Sequence, residues 1–196
     1  MKLIVFCWTL ILCHSILFSF PYYVDPAILD EVQQNEVLYE QYPTSNKIQF
    51  DLAMSYAYSG QILNGWTTLK TLPKSYAIEV VDVYSEKMIQ DSTEWKYPFK
   101  AAFGYFFIGE KLKSIELFHN VLDIDSTQYW AYGFIALVYG EMGDTKNAII
   151  YCKKGLAIEP NATGIHFLLA EAYRKDKKYY KAFKHFLKVG RLQAKD

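Results

Sequence analysis

The residues that could carry catalysis or hold a metal are few, and their spacing is unpromising. Of the four histidines, His14 lies in an apolar leader, while His119, His166 and His185 each fall in a separate predicted helix. No HExxH, CxxC, GxSxG or phosphate-binding glycine loop occurs. Cys7 and Cys13 belong to the leader, which leaves Cys152 alone at a packing position and unable to form an internal disulfide. Asp123 and Asp125 stand where one predicted helix ends and the next begins, and capping explains them. Asn161-Ala162-Thr163 is a glycosylation sequon at another predicted helix start, where capping is again the expected role. With no nucleophile, base, metal or cofactor motif, the sequence predicts a non-enzymatic protein that takes no cofactor.

Charge narrows the partners. Lys+Arg and Asp+Glu number 21 each, so no global field points to nucleic acid. The distribution is uneven, however: residues 21–60 carry six acidic residues and one basic. Near the other end, Lys177, Lys181, Lys184, Lys188 and Arg191 are spaced four, three, four and three apart, which places them on one stripe of the last predicted helix. A solvated outer face is the simpler reading of that stripe. An anionic partner or a head-to-tail neighbour is the sharper one.

Residues 1–20 are a lysine followed by an almost unbroken apolar run, the layout of a secretory signal or a retained membrane anchor. The run from Leu3 to Phe20 is 18 residues, close to the roughly 20 that span a bilayer. The only small residue near its end is Ser19, with Leu17 where a signal peptidase wants another, so the anchor stays open beside the cleaved signal. Either reading places the rest of the chain in an exported space, periplasmic or secreted, or on a membrane held only through residues 1–20. Beyond the leader, Asp25-Pro26 opens a predicted helix within residues 21–45. From Asn46 onward every stretch reads as helix, with breaks near Gly60, Pro73, Asp91, Gly109, Asp125, Gly143, Asn161 and Asp176. No sustained two-residue alternation predicts a strand.

The helices repeat. Ala102, Tyr105, Gly109 and Ser114 recur as Ala136, Tyr139, Gly143 and Ala148, and again as Ala170, Tyr173, Lys177 and Ala182, with a period of 34 both times. Alanine against alanine lets two antiparallel helices approach closely, and glycine ends the first helix in the left-handed region. A weaker copy, Ala53, Tyr56, Gly60 and Gly65, precedes Ala102 by 49 residues, so a short helix within residues 74–94 interrupts the array.

This constellation resembles the tetratricopeptide repeat family. With units starting at Trp95, Tyr129 and Thr163, the family's small eighth residue falls on Ala102, Ala136 and Ala170, its eleventh tyrosine on Tyr105, Tyr139 and Tyr173, and its small twentieth on Ser114, Ala148 and Ala182. The large twenty-fourth is Phe118, Cys152 and Phe186; the closing proline survives as Pro160, with Ser126 and Ala194 in its other places. The resemblance implies an all-α fold, a right-handed superhelical solenoid of antiparallel helix pairs, divided as an N-terminal helix (21–45), a degenerate repeat (46–73), an inserted helix (74–94) and three units (95–128, 129–162 and 163–196).

The same resemblance implies a protein-binding role, with the first helix of each pair lining a concave groove. Carried over position by position, that groove is Phe50, Met54, Tyr58, Phe99, Phe103, Phe106, Phe107, Trp130, Leu137, Phe167, Glu171 and Arg174. Where the family's two-carboxylate clamps carry lysine and asparagine on the groove-lining helices, these helices offer Phe99, Phe103, Phe106 and Leu137 instead, so such a clamp is not expected. Two expectations stand side by side: an aromatic wall for a segment of a partner protein, or a structural subunit whose groove is filled by its own helix, Pro26–Glu40 or Ser75–Gln90. The resemblance also implies an extra helix over the last pair. None is visible before Asp196, so Phe183 and Leu187 are expected to be partly exposed or covered by a second chain in a homodimer.

Overall fold

The computed structural model describes residues 22–193, and the leader and Ala194 lie outside them. Among the described residues there are ten helices and no strand: α1 (Pro26–Gln41), α2 (Asn46–Tyr58), α3 (Ile62–Leu69), α4 (Tyr76–Gln90), α5 (Lys96–Phe107), α6 (Lys111–Ile124), α7 (Tyr129–Glu141), α8 (Thr145–Ile158), α9 (Thr163–Lys175) and α10 (Tyr179–Gln193). None of them is long and apolar enough to cross a membrane.

Local chemistry sets the boundaries. Asp25 caps α1 by accepting the Ala27 N–H at 2.9 Å, with Pro26 at the first helical position, and Asp144 caps α8 through the Asn147 N–H at 3.0 Å. Gly109 and Gly143 turn the chain between α5 and α6 and between α7 and α8 at φ +93° and +82°, a region that strains any residue with a Cβ. The equivalent turn between α9 and α10 is made by Lys177 at φ +58°. Lys177 is therefore a turn residue and precedes the last helix, so the basic stripe on α10 is Lys181, Lys184, Lys188 and Arg191.

Three hairpins, α5–α6, α7–α8 and α9–α10, reproduce the 34-residue period. Each closes on a buried pair of small residues, Ala102 with Ser114, Ala136 with Ala148 and Ala170 with Ala182. α6 packs on α7 and α8 on α9, so the hairpins stack in chain order. Gly155, which departs from the repeat pattern, makes the second junction possible: a Cβ there would lie 2.7 Å from Ile165 Cδ1 and 2.9 Å from the Tyr129 carbonyl oxygen.

Ahead of this stack stands α4, not α3. α4 packs along α5, where Gly104 lets the two backbones close; a Cβ at that position would meet Val81 at 2.9 Å and the Ala77 carbonyl oxygen at 3.2 Å. The α2–α3 hairpin keeps the small-residue contact of a repeat, since a Cβ on Gly65 would fall 2.9 Å from the Ala53 carbonyl oxygen. Instead of joining the stack, it lies along the face made by the first helices. Phe50 touches Tyr76 and Tyr84 of α4, Tyr58 touches Phe99 of α5 and Trp130 of α7, and Ile62 lies under Gly164 of α9. Thirteen residues of helix, about 20 Å, suffice for α2 to pass from α4 to α7. α1 packs in turn on α2.

Candidate protein-binding surface

The expected aromatic wall is interior over most of its length. Phe50, Met54, Tyr58, Phe99, Phe103 and Trp130 are buried, and they belong to one core cluster with Phe118 and Phe134. The Phe99 ring is its centre, with Trp130, Phe103, Tyr58 and Phe134 at centroid distances of 4.7, 5.1, 5.5 and 5.5 Å, all edge to face. These six positions are therefore core rather than an open groove. The reason is that the chain's own α2–α3 hairpin supplies the matching apolar surface, in place of the α1 or α4 helix expected there.

Polar contacts fix the hairpin in place. Asp51 on α2 accepts from Lys100 Nζ of α5 at 2.7 Å, from the Tyr84 hydroxyl of α4 at 3.0 Å and from Lys47 Nζ at 2.8 Å. Burial pushes the Asp51 carboxyl up, but Lys100 and then Lys47 outweigh it and hold it below the usual carboxylate range. At the other end of α2, the Tyr58 hydroxyl donates to Glu31 of α1, which also pairs with Lys96 of α5. Burial first, and then the Glu31 charge, keep that phenol protonated well above its ordinary value.

The remaining groove positions are more accessible. Phe106 and Phe107 are half-buried, with Trp66 of α3 stacked on Phe107 at 6.4 Å. Leu137 is half-buried, whereas Phe167 is 50% exposed, and Arg174 is exposed and paired with Glu171 at 2.7 Å. Leu137, Phe167 and Glu171 line a cleft of about 200 Å³ between α7 and α9, floored by Ala136, Ala148 and Ala172. Lys175 Nζ closes one side by donating to the Gly140 carbonyl at 3.2 Å. A second, wider hollow of about 540 Å³ runs beside the lead-in to α1, between Tyr23, Asp25 and Ile28 and the ends of the stack at Trp95, Gln128 and Glu159.

The family model described as Tetratricopeptide repeat matches residues 131–162, which hold most of α7, all of α8 and the Pro160 stop. That stretch is similar to a single tetratricopeptide repeat. Solved structures agree at the level of fold. A crystal structure of MamA is 18% identical over 88% of this chain and 97% of its own, with a TM-score of 0.56. A second MamA crystal structure is 18% identical over 86% and 84%, with a TM-score of 0.57, and a MamA RS-1 double mutant is 12% identical over 86% of both, with a TM-score of 0.54. No curated protein sequence matches the chain.

The stacked hairpins also bring together residues that their sequence positions kept apart. His166 and His185 face each other with 2.9 Å between their Nδ1 atoms, and His166 Nε2 lies 2.9 Å from the Pro160 carbonyl oxygen. Tyr132 and Tyr151 are the same pair one repeat earlier, with ring centroids 6.5 Å apart, so the 19-residue spacing was the available signal. His119 instead meets the Tyr151 hydroxyl at 3.0 Å. Among the described residues no three histidine, cysteine or acidic side chains are grouped to hold a metal ion. The cap role expected of Asn161 is not what is observed: Asn161 accepts from Lys188 Nζ at 3.2 Å while Ala162 occupies the cap of α9. Asp125 does cap the end of α6, and its carboxylate also makes the following turn by accepting the Thr127 N–H at 2.9 Å.

Proposed function

We propose that the chain is a non-enzymatic protein-binding module whose partner docks in the α7–α9 cleft, because its own α2–α3 hairpin fills the face of α4 and α5 and reaches only the first turns of α7 and α9. One observation carries this reading: Phe167 is 50% exposed beside the α7–α9 cleft, while Phe99, its counterpart two repeats earlier, is fully buried. The cleft suits a short segment with one apolar side chain to lie against Phe167 and Leu137. A charged group on that segment would meet Glu171, Arg174 or Lys175.

A displayed peptide library, panned against the full chain, tests the reading. Enriched peptides should share an apolar anchor, and Phe167→Ala should weaken them at least about ten-fold, with Phe167→Leu recovering part of the loss. Equal binding by the alanine variant overturns the site. Residues 1–20 support a further part of the reading, that the array works in an exported space or on a membrane; N-terminal sequencing that finds Met1 on a freely soluble cytosolic chain overturns it. A second reading, a structural subunit acting through self-association, is favoured by the exposed face of α10.

A further inference from the structure

Helices α1 and α10 carry opposite charge. α1 has Asp30, Glu31, Glu36 and Glu40 with no basic residue, and α10 has Lys181, Lys184, Lys188 and Arg191 with no acidic one. Some of these charges are already used within the chain: Glu31 by Lys96, Glu36 by the Tyr56 hydroxyl and Lys188 by Asn161. The remainder form two exposed stripes. On α1, Asp30, Val37 and Glu40 follow at helical spacing; on α10, Tyr180, Lys184, Leu187 and Arg191 do so, with Phe183 beside them. Each stripe has an apolar centre between charged residues. Among the described residues α1 packs chiefly on α2 and α10 on α9, and the stripe residues named here stay exposed.

We propose that the acidic stripe of α1 in one copy docks on the basic, aromatic stripe of α10 in a second copy, head to tail. Exposure of 82% at Tyr180, 60% at Phe183 and 43% at Leu187 leaves an apolar strip that a neighbour would cover. Charge complementarity selects the neighbour, because α1 offers carboxylates and its own exposed Val37 and Leu38. The equal numbers of acidic and basic residues, 21 of each, leave no net repulsion between copies. An anionic membrane would also attract α10, but it would repel the acidic face of α1. The contact joins two different patches, so each added copy presents both again, and the assembly grows into a ring or filament rather than stopping at a two-fold dimer. It does not involve Phe167.

Sedimentation of the full chain tests this. Mass should rise with protein concentration at low salt and fall toward one chain at about 0.5 M salt. Lys184→Glu with Arg191→Glu should weaken association at least about ten-fold, and so, separately, should Asp30→Lys with Glu40→Lys. Mixing the two reversed variants should restore it, since each then offers the charge the other lacks. A one-chain mass at low salt, or a mixture that stays apart, overturns the proposal. So does a result in which the α10 variant loses binding to phosphatidylserine vesicles but sediments unchanged, which would assign α10 to a membrane surface.

Discussion

At the scale of single residues, the His166–His185 pair is the most constrained feature. The Pro160 carbonyl can only accept, so His166 Nε2 carries a proton; with both rings neutral, His166 Nδ1 then accepts from His185 Nδ1–H. Burial lowers the pKa of both rings; Lys188 adds to it at His166, and His166, Lys184 and Lys153 add to it at His185. A folded-state pKa below the unfolded value of about 6.5 means that the unfolded chain binds more protons. The contribution of the pair is complete above that value and is lost as pH falls through the folded pKa values. Thermal midpoints should therefore decline between about pH 7 and 5, and His166→Gln should flatten the decline. An equally steep decline in the variant would place the titrating groups elsewhere.

At the scale of helices, the ion pair that ties α2 to α5 is the sensitive joint. The Asp51 and Lys100 side chains are mostly shielded from solvent, so Asp51→Ala leaves an ammonium buried without its carboxylate and should cost about 3 kcal/mol. Lys47, which is largely exposed, also contacts Asp51, and Lys47→Ala should cost less than about 1 kcal/mol. Urea midpoints measure both, and equal losses would mean that burial of the pair is not what matters.

The same joint shows why part of the arrangement was illegible in the sequence. The 34-residue period specifies the contacts inside each hairpin and between consecutive ones, so α5 to α10 could be read from Ala102, Ala136, Ala170 and their partners. It also gave the Ala53–Gly65 contact inside α2–α3. What it does not specify is where an interrupted hairpin goes, because once α4 packs on α5 through Gly104 the place in the stack is taken. Phe99 and Trp130 are apolar under either reading, since an open groove and a filled one ask for the same side chains. Only the polar partners discriminate, and Asp51 with Lys100 is a pairing 49 residues apart that no local pattern signals.

At the scale of the molecule, contacts between consecutive helix pairs would let a solenoid open one repeat at a time from either end. Here α2 and α3 reach α4, α5, α7 and α9 together. Those cross-links should make denaturation of the N-terminal repeats a single step. Fluorescence of Trp66, Trp95 and Trp130, all in contact with the hairpin or part of it, should fall at the same urea concentration as helical circular dichroism. A fluorescence transition that clearly precedes the loss of helix would show that the hairpin detaches alone.

The position of the hairpin also fixes an order of events during synthesis. α2 and α3 emerge from the ribosome before α4, α5, α7 and α9, the helices against which Phe50, Tyr58 and Ile62 come to rest. Until those helices arrive, the first apolar hairpin has only α1 to rest on, so its folding waits on the later repeats, which close backward onto the earliest helices. Under the export proposed above such a delay is useful, because a segment that cannot finish folding early is one that can still be threaded.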